Sequence, residues 1–216
     1  LTLRRQRIFQ QTAEAVPPPS LRPIEGQVLT DKAALRSTAR QQRSDFVAGL
    51  DALAHRLAFK AAPSPLLEMI GAREVIALYV PVGDEAPATR LAPALRVLGK
   101  KLCLPRVRDR LGTMDFRRWS EEDDLVPGPF GTSHPEPGAQ ADPEVIIAPL
   151  LGFDRDMNRL GQGGGYYDRA FARHPDALRI GLSWSAQQFD ALPSDPWDMP
   201  LHAVLTERAF IIGEFT

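Results

Sequence analysis

Four glycines crowd into five positions, Gly161, Gly163, Gly164 and Gly165, shortly after Arg159 and directly before Tyr166-Tyr167-Asp168. The apolar run Val145 to Ala148 precedes them, and the patterning from Tyr166 to Ala172 is helical. A buried strand, a glycine loop and a helix in that order belong to an α/β layer rather than a bundle or a sandwich. Glycines take positive φ without steric penalty and let other groups approach the backbone closely. Backbone N–H groups that converge at a helix start form an anion site. Arg159 adds a permanent cation with a planar donor fork, and Asp168 adds a hard oxygen ligand suited to Mg²⁺. The combination points to phosphate carried by a nucleotide. The plainer alternative is a glycine turn before a surface helix.

Two familiar phosphate motifs are excluded. No lysine follows these glycines as a P-loop requires, and the loop comes too late in the chain for a dinucleotide fingerprint on a first strand–turn–helix unit.

The remaining chain repeats the strand–helix alternation. A helix is expected from about Lys32, capped by Thr30 or Asp31, and a second from Ser44 or Asp45 to about Ala61, ended by Pro63 and Pro65. Glu74 to Tyr79 is expected as a buried strand, Thr89 to Leu98 as a helix stopped by Gly99, and Lys101 to Leu104 as the next strand. That spacing implies a parallel crossover. Thr113 to Trp119 is a further strand candidate, and Pro127 to Pro143 is expected as a long loop. Arg179 to Trp184, Val204-Leu205 and Phe210 to Ile212 complete the sheet. The expected fold is a single Rossmann-like α/β domain over residues 31–216, with a mainly parallel sheet flanked by helices. Residues 1–30 carry Pro17-Pro18-Pro19 and no apolar core, and are expected as a flexible arm. Ligands in such folds lie beyond the carboxyl ends of strands, so the loops carrying Glu85 and Arg159 are expected to meet in one crevice.

Charge is nearly balanced, with net −1 over 216 residues, so no nucleic-acid partner is expected. No apolar run reaches the length of a membrane span. The single cysteine, Cys103, excludes an internal disulfide and fits a reducing, cytoplasmic setting, with a core role expected. The four histidines are far apart and offer no zinc spacing.

Pro149-Leu150-Leu151-Gly152-Phe153-Asp154, Asn158-Arg159-Leu160-Gly161 and Gly163-Gly164-Gly165-Tyr166-Tyr167-Asp168 together resemble the signature of the 5-formyltetrahydrofolate cyclo-ligase family. Weaker features fall in the same order: Lys32, Leu35, Arg36, Arg40 and Arg43 on the first helix, Tyr79-Val80-Pro81 with Asp84-Glu85, and Gly99 to Arg106. The resemblance spans about residues 31–212. It implies ATP- and Mg²⁺-dependent cyclisation of 5-formyltetrahydrofolate to 5,10-methenyltetrahydrofolate, with small-molecule partners only and a monomer or weak dimer.

By this resemblance Arg159 and Tyr166 are catalytic. ATP is held by Lys32, Arg36, Arg159, Leu160, Gly161, Gln162, Gly163, Gly164, Gly165, Tyr166 and Tyr167. The folate is bound by Val80, Glu85, Gln162, the three consecutive glycines and Tyr166; Phe153 and Trp119 are candidates for further apolar wall by residue type alone, not by the resemblance. Asp168 and Asp198 are the Mg²⁺ ligands. Each role has a plainer alternative: a solvated basic stripe for Lys32 to Arg43, a helix cap for Glu85, a surface acid for Asp168, a turn former for Asp198, and a loop pin to Asp154 or Asp156 for Arg159. At the level of the whole chain, the alternatives are a sugar-phosphate isomerase of similar architecture and a non-catalytic folate- or nucleotide-binding relative.

Overall fold

A computed structural model describes residues 32–108 and 114–213. The expected arm over residues 1–30 and its junction at Thr30-Asp31 lie outside the described residues. In chain order the elements are α1 (Lys32–Gly49), α2 (Ala52–Leu57), α3 (Ser64–Ile70), β1 (Val75–Ala77), α4 (Ala92–Val97), β2 (Lys101–Val107), β3 (Met114–Arg118), β4 (Leu125–Pro127), β5 (Ser133–Pro135), β6 (Gln140–Ala141), β7 (Val145–Pro149), β8 (Gly152–Phe153), β9 (Arg159–Leu160), α5 (Tyr166–Arg173), β10 (Leu178–Leu182), β11 (Ala203–Leu205) and β12 (Phe210–Ile212).

Eight strands form one sheet in the order β12-β11-β10-β7-β1-β2-β3-β6. The five central strands run parallel, and β12, β3 and β6 add antiparallel edges. Alternate residues of each strand point to opposite faces. Ile76, Leu102, Leu104, Val145, Ile147, Ile180 and Leu182 pack with Leu66, Ile70, Leu91 and Leu95 on one face. Ala77, Cys103, Ile146, Ala148 and Val204 pack with Ala170 and Phe171 on the other. Burial pushes the Cys103 thiol up to about 12, which fits its expected core role. Helices therefore cover both faces, as the α/β reading requires. The chain leaves β1 for β2 on one side and returns to β7 on the other, so the sheet order switches direction between β1 and β7.

Three local expectations are corrected. First, α1 does not break at Ser44 or Asp45. The Asp45 carboxylate accepts from Gln41 Nε2 one turn earlier (2.8 Å), and the true cap is Asp51, which accepts from the N–H groups of Leu53 and Ala54. Second, the helix expected to run to Ala61 ends at Leu57, before either proline; Pro63 and Pro65 instead open α3, where proline in the first turn sacrifices no helical hydrogen bond. Third, Pro127 to Pro143 is not one loop. It holds β5, which pairs with β4, and β6, which pairs with β3.

Candidate active site

The site begins at the switch point, where the carboxyl ends of β1 and β7 lie side by side. The chain beyond β1 is fastened by three side chains. The Tyr79 hydroxyl donates to the Ala86 carbonyl (2.5 Å), Trp184 Nε1 donates to the Asp84 carbonyl (2.9 Å), and the Val82 N–H donates to Glu85 Oε2 (3.1 Å). Trp184 is itself buried against Phe46, His55 and Phe59. The Glu85 carboxylate is thus aimed by its own loop. It does not cap the turn that starts at Ala88, whose cap position, Pro87, has no side-chain hydrogen bond. Burial pushes the Glu85 pKa up, while the Val82 N–H and the Arg43 charge pull it partly back. Val80 packs at the edge of the same core face.

Beyond β7 the chain makes the β8–β9 hairpin and then the glycine loop. Asp154 is buried and accepts from the Asn158 backbone and side chain and from the Leu192 N–H, each at 2.9 Å. Its oxygens are therefore committed to the hairpin and not to Arg159. Arg159 Nη2 donates to Asp168 Oδ1 instead (2.6 Å), and its guanidinium lies over the rings of Tyr167 and Phe171. The Arg159 side chain is 6% exposed, and its buried Nε has no hydrogen-bond partner among the described residues.

The glycines are needed for contact as much as for turning. Gly163 sits at φ +100° and Gly165 at φ +64°, a region that disfavours side chains. A Cβ at Gly163 would stand 3.3 Å from Arg36 Cζ, one at Gly161 3.0 Å from Arg159 Nη1, and one at Gly165 2.8 Å from Arg169 Nη1. The loop thus lies against three guanidinium groups. Gly165 also caps α5 with no side-chain hydrogen bond, leaving the helix start for an anion.

Helix α1 packs over the site with two rows of residues at four-residue spacing. In one row, Lys32 Nζ contacts Asp195 (2.5 Å) and Asp198 (2.7 Å), Arg36 Nε donates to the Gly161 carbonyl (2.9 Å), and Arg40 donates to Gln162 Oε1 (3.0 Å). In the other, Leu35 and Ala39 pack on Leu151 and Leu160, and Arg43 is buried beside Glu85. The basic helix is therefore not a solvated stripe. Burial opposes the Lys32 charge, but its two aspartate partners outweigh that and raise its pKa. Gln162 joins the two halves of the site, because its Nε2 approaches Glu85 Oε1 at 3.5 Å.

Of the expected residues, Lys32, Arg36, Glu85, Arg159, Leu160, Gly161 to Tyr167, Asp168 and Asp198 converge here. Asp168 is paired rather than a free surface acid. Asp198 is both a turn former, accepting from the Asp195 N–H, and a partner of Lys32. Phe153 is fully buried in the core and not a crevice wall. Trp119 bonds back to Leu102 near the amino end of β2 and is covered by Arg96, so it too is away from the site.

Residues at the site that sequence did not assign to it are Arg43, read only as part of the basic stripe, and Arg169, Asp195 and Phe130. Phe130 is 57% exposed at φ +59° and meets the Tyr166 ring edge-on at 6.0 Å. The spacing Leu35-Ala39-Arg43 would have revealed Arg43 as a member of the buried row.

The pattern of a family model described as the 5-formyltetrahydrofolate cyclo-ligase family matches residues 28–207. The chain belongs to this family. A 5-formyltetrahydrofolate cyclo-ligase from Haemophilus influenzae is 28% identical over 180 residues, covering 79% of this chain and 96% of that one. The Mycolicibacterium smegmatis cyclo-ligase is 33% identical over 154 residues, covering 67% and 78%. Among solved structures, the Aquifex aeolicus 5,10-methenyltetrahydrofolate synthetase superposes with a TM-score of 0.68 at 28% identity, over 84% of this chain and 92% of that one. Cyclo-ligase family membership and the α/β fold thus agree.

Proposed function

We propose that the chain converts 5-formyltetrahydrofolate and ATP to 5,10-methenyltetrahydrofolate, ADP and phosphate. The observation that carries this reading is the bridge at Gln162, which ties the arginine-lined glycine loop to the buried acceptor Glu85 across the switch point. One side of that bridge suits phosphates and the other suits a ring edge rich in N–H donors.

A formyl amide oxygen is a poor leaving group. In this mechanism it attacks the γ-phosphorus of ATP, and the bond to the ADP oxygen breaks. N10 of the folate then adds to the activated carbon, loses its proton, and phosphate departs with the former formyl oxygen. Such a reaction needs in-line placement and charge stabilisation more than covalent help. Arg36, the glycine loop and the start of α5 would hold the phosphates, with Lys32 at the edge. Arg159, fixed by Asp168 and two rings, would face the charge that develops on the transferred group. Tyr166 would stack on the folate beside the formyl group, opposite Phe130. Glu85 would accept from pterin N–H groups, and Val80 would line the ring.

Asp168 and Asp198 fit Mg²⁺ as hard oxygen donors. Both carboxylates are partly exposed, at 28% and 25%, and the ion would share them with the cations they already pair with, Arg159 and Lys32. Among the described residues no three His, Cys, Asp or Glu side chains form a metal cage by themselves. Two carboxylates with phosphate oxygens and water is the usual arrangement for Mg²⁺ that arrives with a nucleotide. When bound, the ion would neutralise phosphate charge. No helix among the described residues is long and apolar enough to cross a membrane. A cytoplasmic enzyme, monomeric or weakly dimeric, completes the reading.

The decisive chemical test is isotopic. Substrate labelled with ¹⁸O in the formyl group should deliver its label to inorganic phosphate. Label appearing in water instead would exclude phosphorylation of the formyl oxygen.

A further inference from the structure

Arg43 is 7% exposed, and its side chain stands against Glu85 with Nη1 3.9 Å from Oε1. Each of the two side chains is 9% exposed. Arg43 Nε and Nη1 are buried and have no hydrogen-bond partner among the described residues. A buried guanidinium with open donors is costly unless a neighbouring anion compensates it. The groups electrostatically coupled to Glu85 are Arg43 from α1, Tyr79 just beyond β1 and Tyr167 from α5, with neutral Gln162 from the glycine loop. Of these only Arg43 carries positive charge. Arg43 also sits in the apolar row with Leu35 and Ala39, so packing fixes it in place.

We propose that Arg43 is a positioning residue that keeps Glu85, already aimed by its own loop, ionised as the acceptor for the pterin edge. It acts through Glu85 and does not touch the reacting atoms. The inference rests on the reading of Glu85 given above. Without the Arg43 charge, burial is opposed only by the Val82 N–H and Gln162, so the balance shifts toward the protonated carboxyl, which offers a donor where the substrate needs an acceptor. The carboxylate then returns only as pH rises.

The test uses Arg43→Met and Arg43→Lys in the full chain, with KM for folate, KM for ATP and kcat measured across pH, together with melting temperature. Arg43→Met should raise the folate KM about tenfold at neutral pH, with recovery at higher pH, and leave the ATP KM unchanged. Arg43→Lys should retain most folate affinity, since it keeps the charge. In a Glu85→Gln background, Arg43→Met should add little further loss. A folate KM within twofold of the parent and without a pH shift would overturn the proposal. A matched rise in both KM values with lowered melting temperature would overturn it as well.

Should Arg43→Met fail to fold, the ¹³C carboxyl titration of Glu85 in Arg43→Gln, which also removes the charge, decides: a raised midpoint supports the coupling, and an unmoved one overturns it. If the parent chain forms no methenyl product at all, the functional reading fails instead. The same titration in the parent and Arg43→Gln proteins then still reports whether the Arg43 charge controls Glu85.

Discussion

Arg159 and Asp168 are joined by a 2.6 Å hydrogen bond that crosses from the end of the β8–β9 hairpin to the first turn of α5. The residue proposed for charge stabilisation is therefore held by a residue proposed for the metal. Asp168 also sits where a carboxylate favours the helix start. Altering either side chain should disturb the other.

Asp168→Asn keeps an acceptor oxygen but removes the charge that balances Arg159. Folding stability should fall by about 1–2 kcal/mol, less than for a fully buried pair because Asp168 is partly exposed. Turnover should fall much further, and the Mg²⁺ concentration for half-maximal rate should rise. An unchanged rate and metal requirement would return Asp168 to a purely structural role.

Arg159→Ala should lower turnover by about 10²–10³, the usual loss on removing one preorganised donor, with only a modest change in ATP affinity. Arg159→Lys should recover part of this, since lysine lacks the fork that reaches Asp168 and cannot stack as a plane on Tyr167 and Phe171. Melting temperature, ATP binding and turnover measured on one preparation separate the roles. Parallel loss of stability and ATP affinity would mark a loop pin.

Gly163→Ala places a side chain at φ +100° and 3.3 Å from Arg36 Cζ. The backbone term alone costs about 1–2 kcal/mol. ATP binding should weaken about tenfold, while folate binding changes little. Gly49→Ala, with nothing within 4 Å, is the matched control and should be neutral. Equal behaviour of the two variants in a calorimetric ATP titration would show that the loop is not strained against Arg36.

Asp115 lies away from this chemistry, on β3 opposite Arg106 of β2. Burial opposes its charge, but hydrogen bonds from Arg106, Arg108 and Arg117 hold its pKa at about 2. A depressed carboxylate pKa contributes stability above the unfolded value, and that contribution is lost as pH falls through the folded one. Asp115→Asn should therefore lower the melting temperature at pH 7 and nearly match the parent by pH 2, with kcat unchanged at neutral pH. Equal melting temperatures at pH 7 would remove Asp115 from the stability account.

The two central strands were legible because Val145 to Ala148 and Glu74 to Tyr79 are apolar runs with no competing helical period. The glycine loop was legible because its residues carry both conformation and chemistry. The break expected at Ser44 was not there, because a good cap residue in mid-helix is indistinguishable by sequence from one that turns outward. Arg43 was hidden by its charge: it reads as surface, but the Glu85 carboxylate it meets is 42 positions away in the chain. Asp195 and Phe130 were hidden for a related reason, since proline-rich connections have no periodicity from which a direction can be read.

The central claim is coupling between folate and ATP at one site. Purified full-length chain should be given 5-formyltetrahydrofolate, ATP and Mg²⁺, with methenyl absorbance, ADP and phosphate followed in the same reaction. The account predicts equal amounts of all three products and none when either ATP or folate is left out. Methenyl product without ATP, or ATP hydrolysis that proceeds at the same rate without folate, would contradict it.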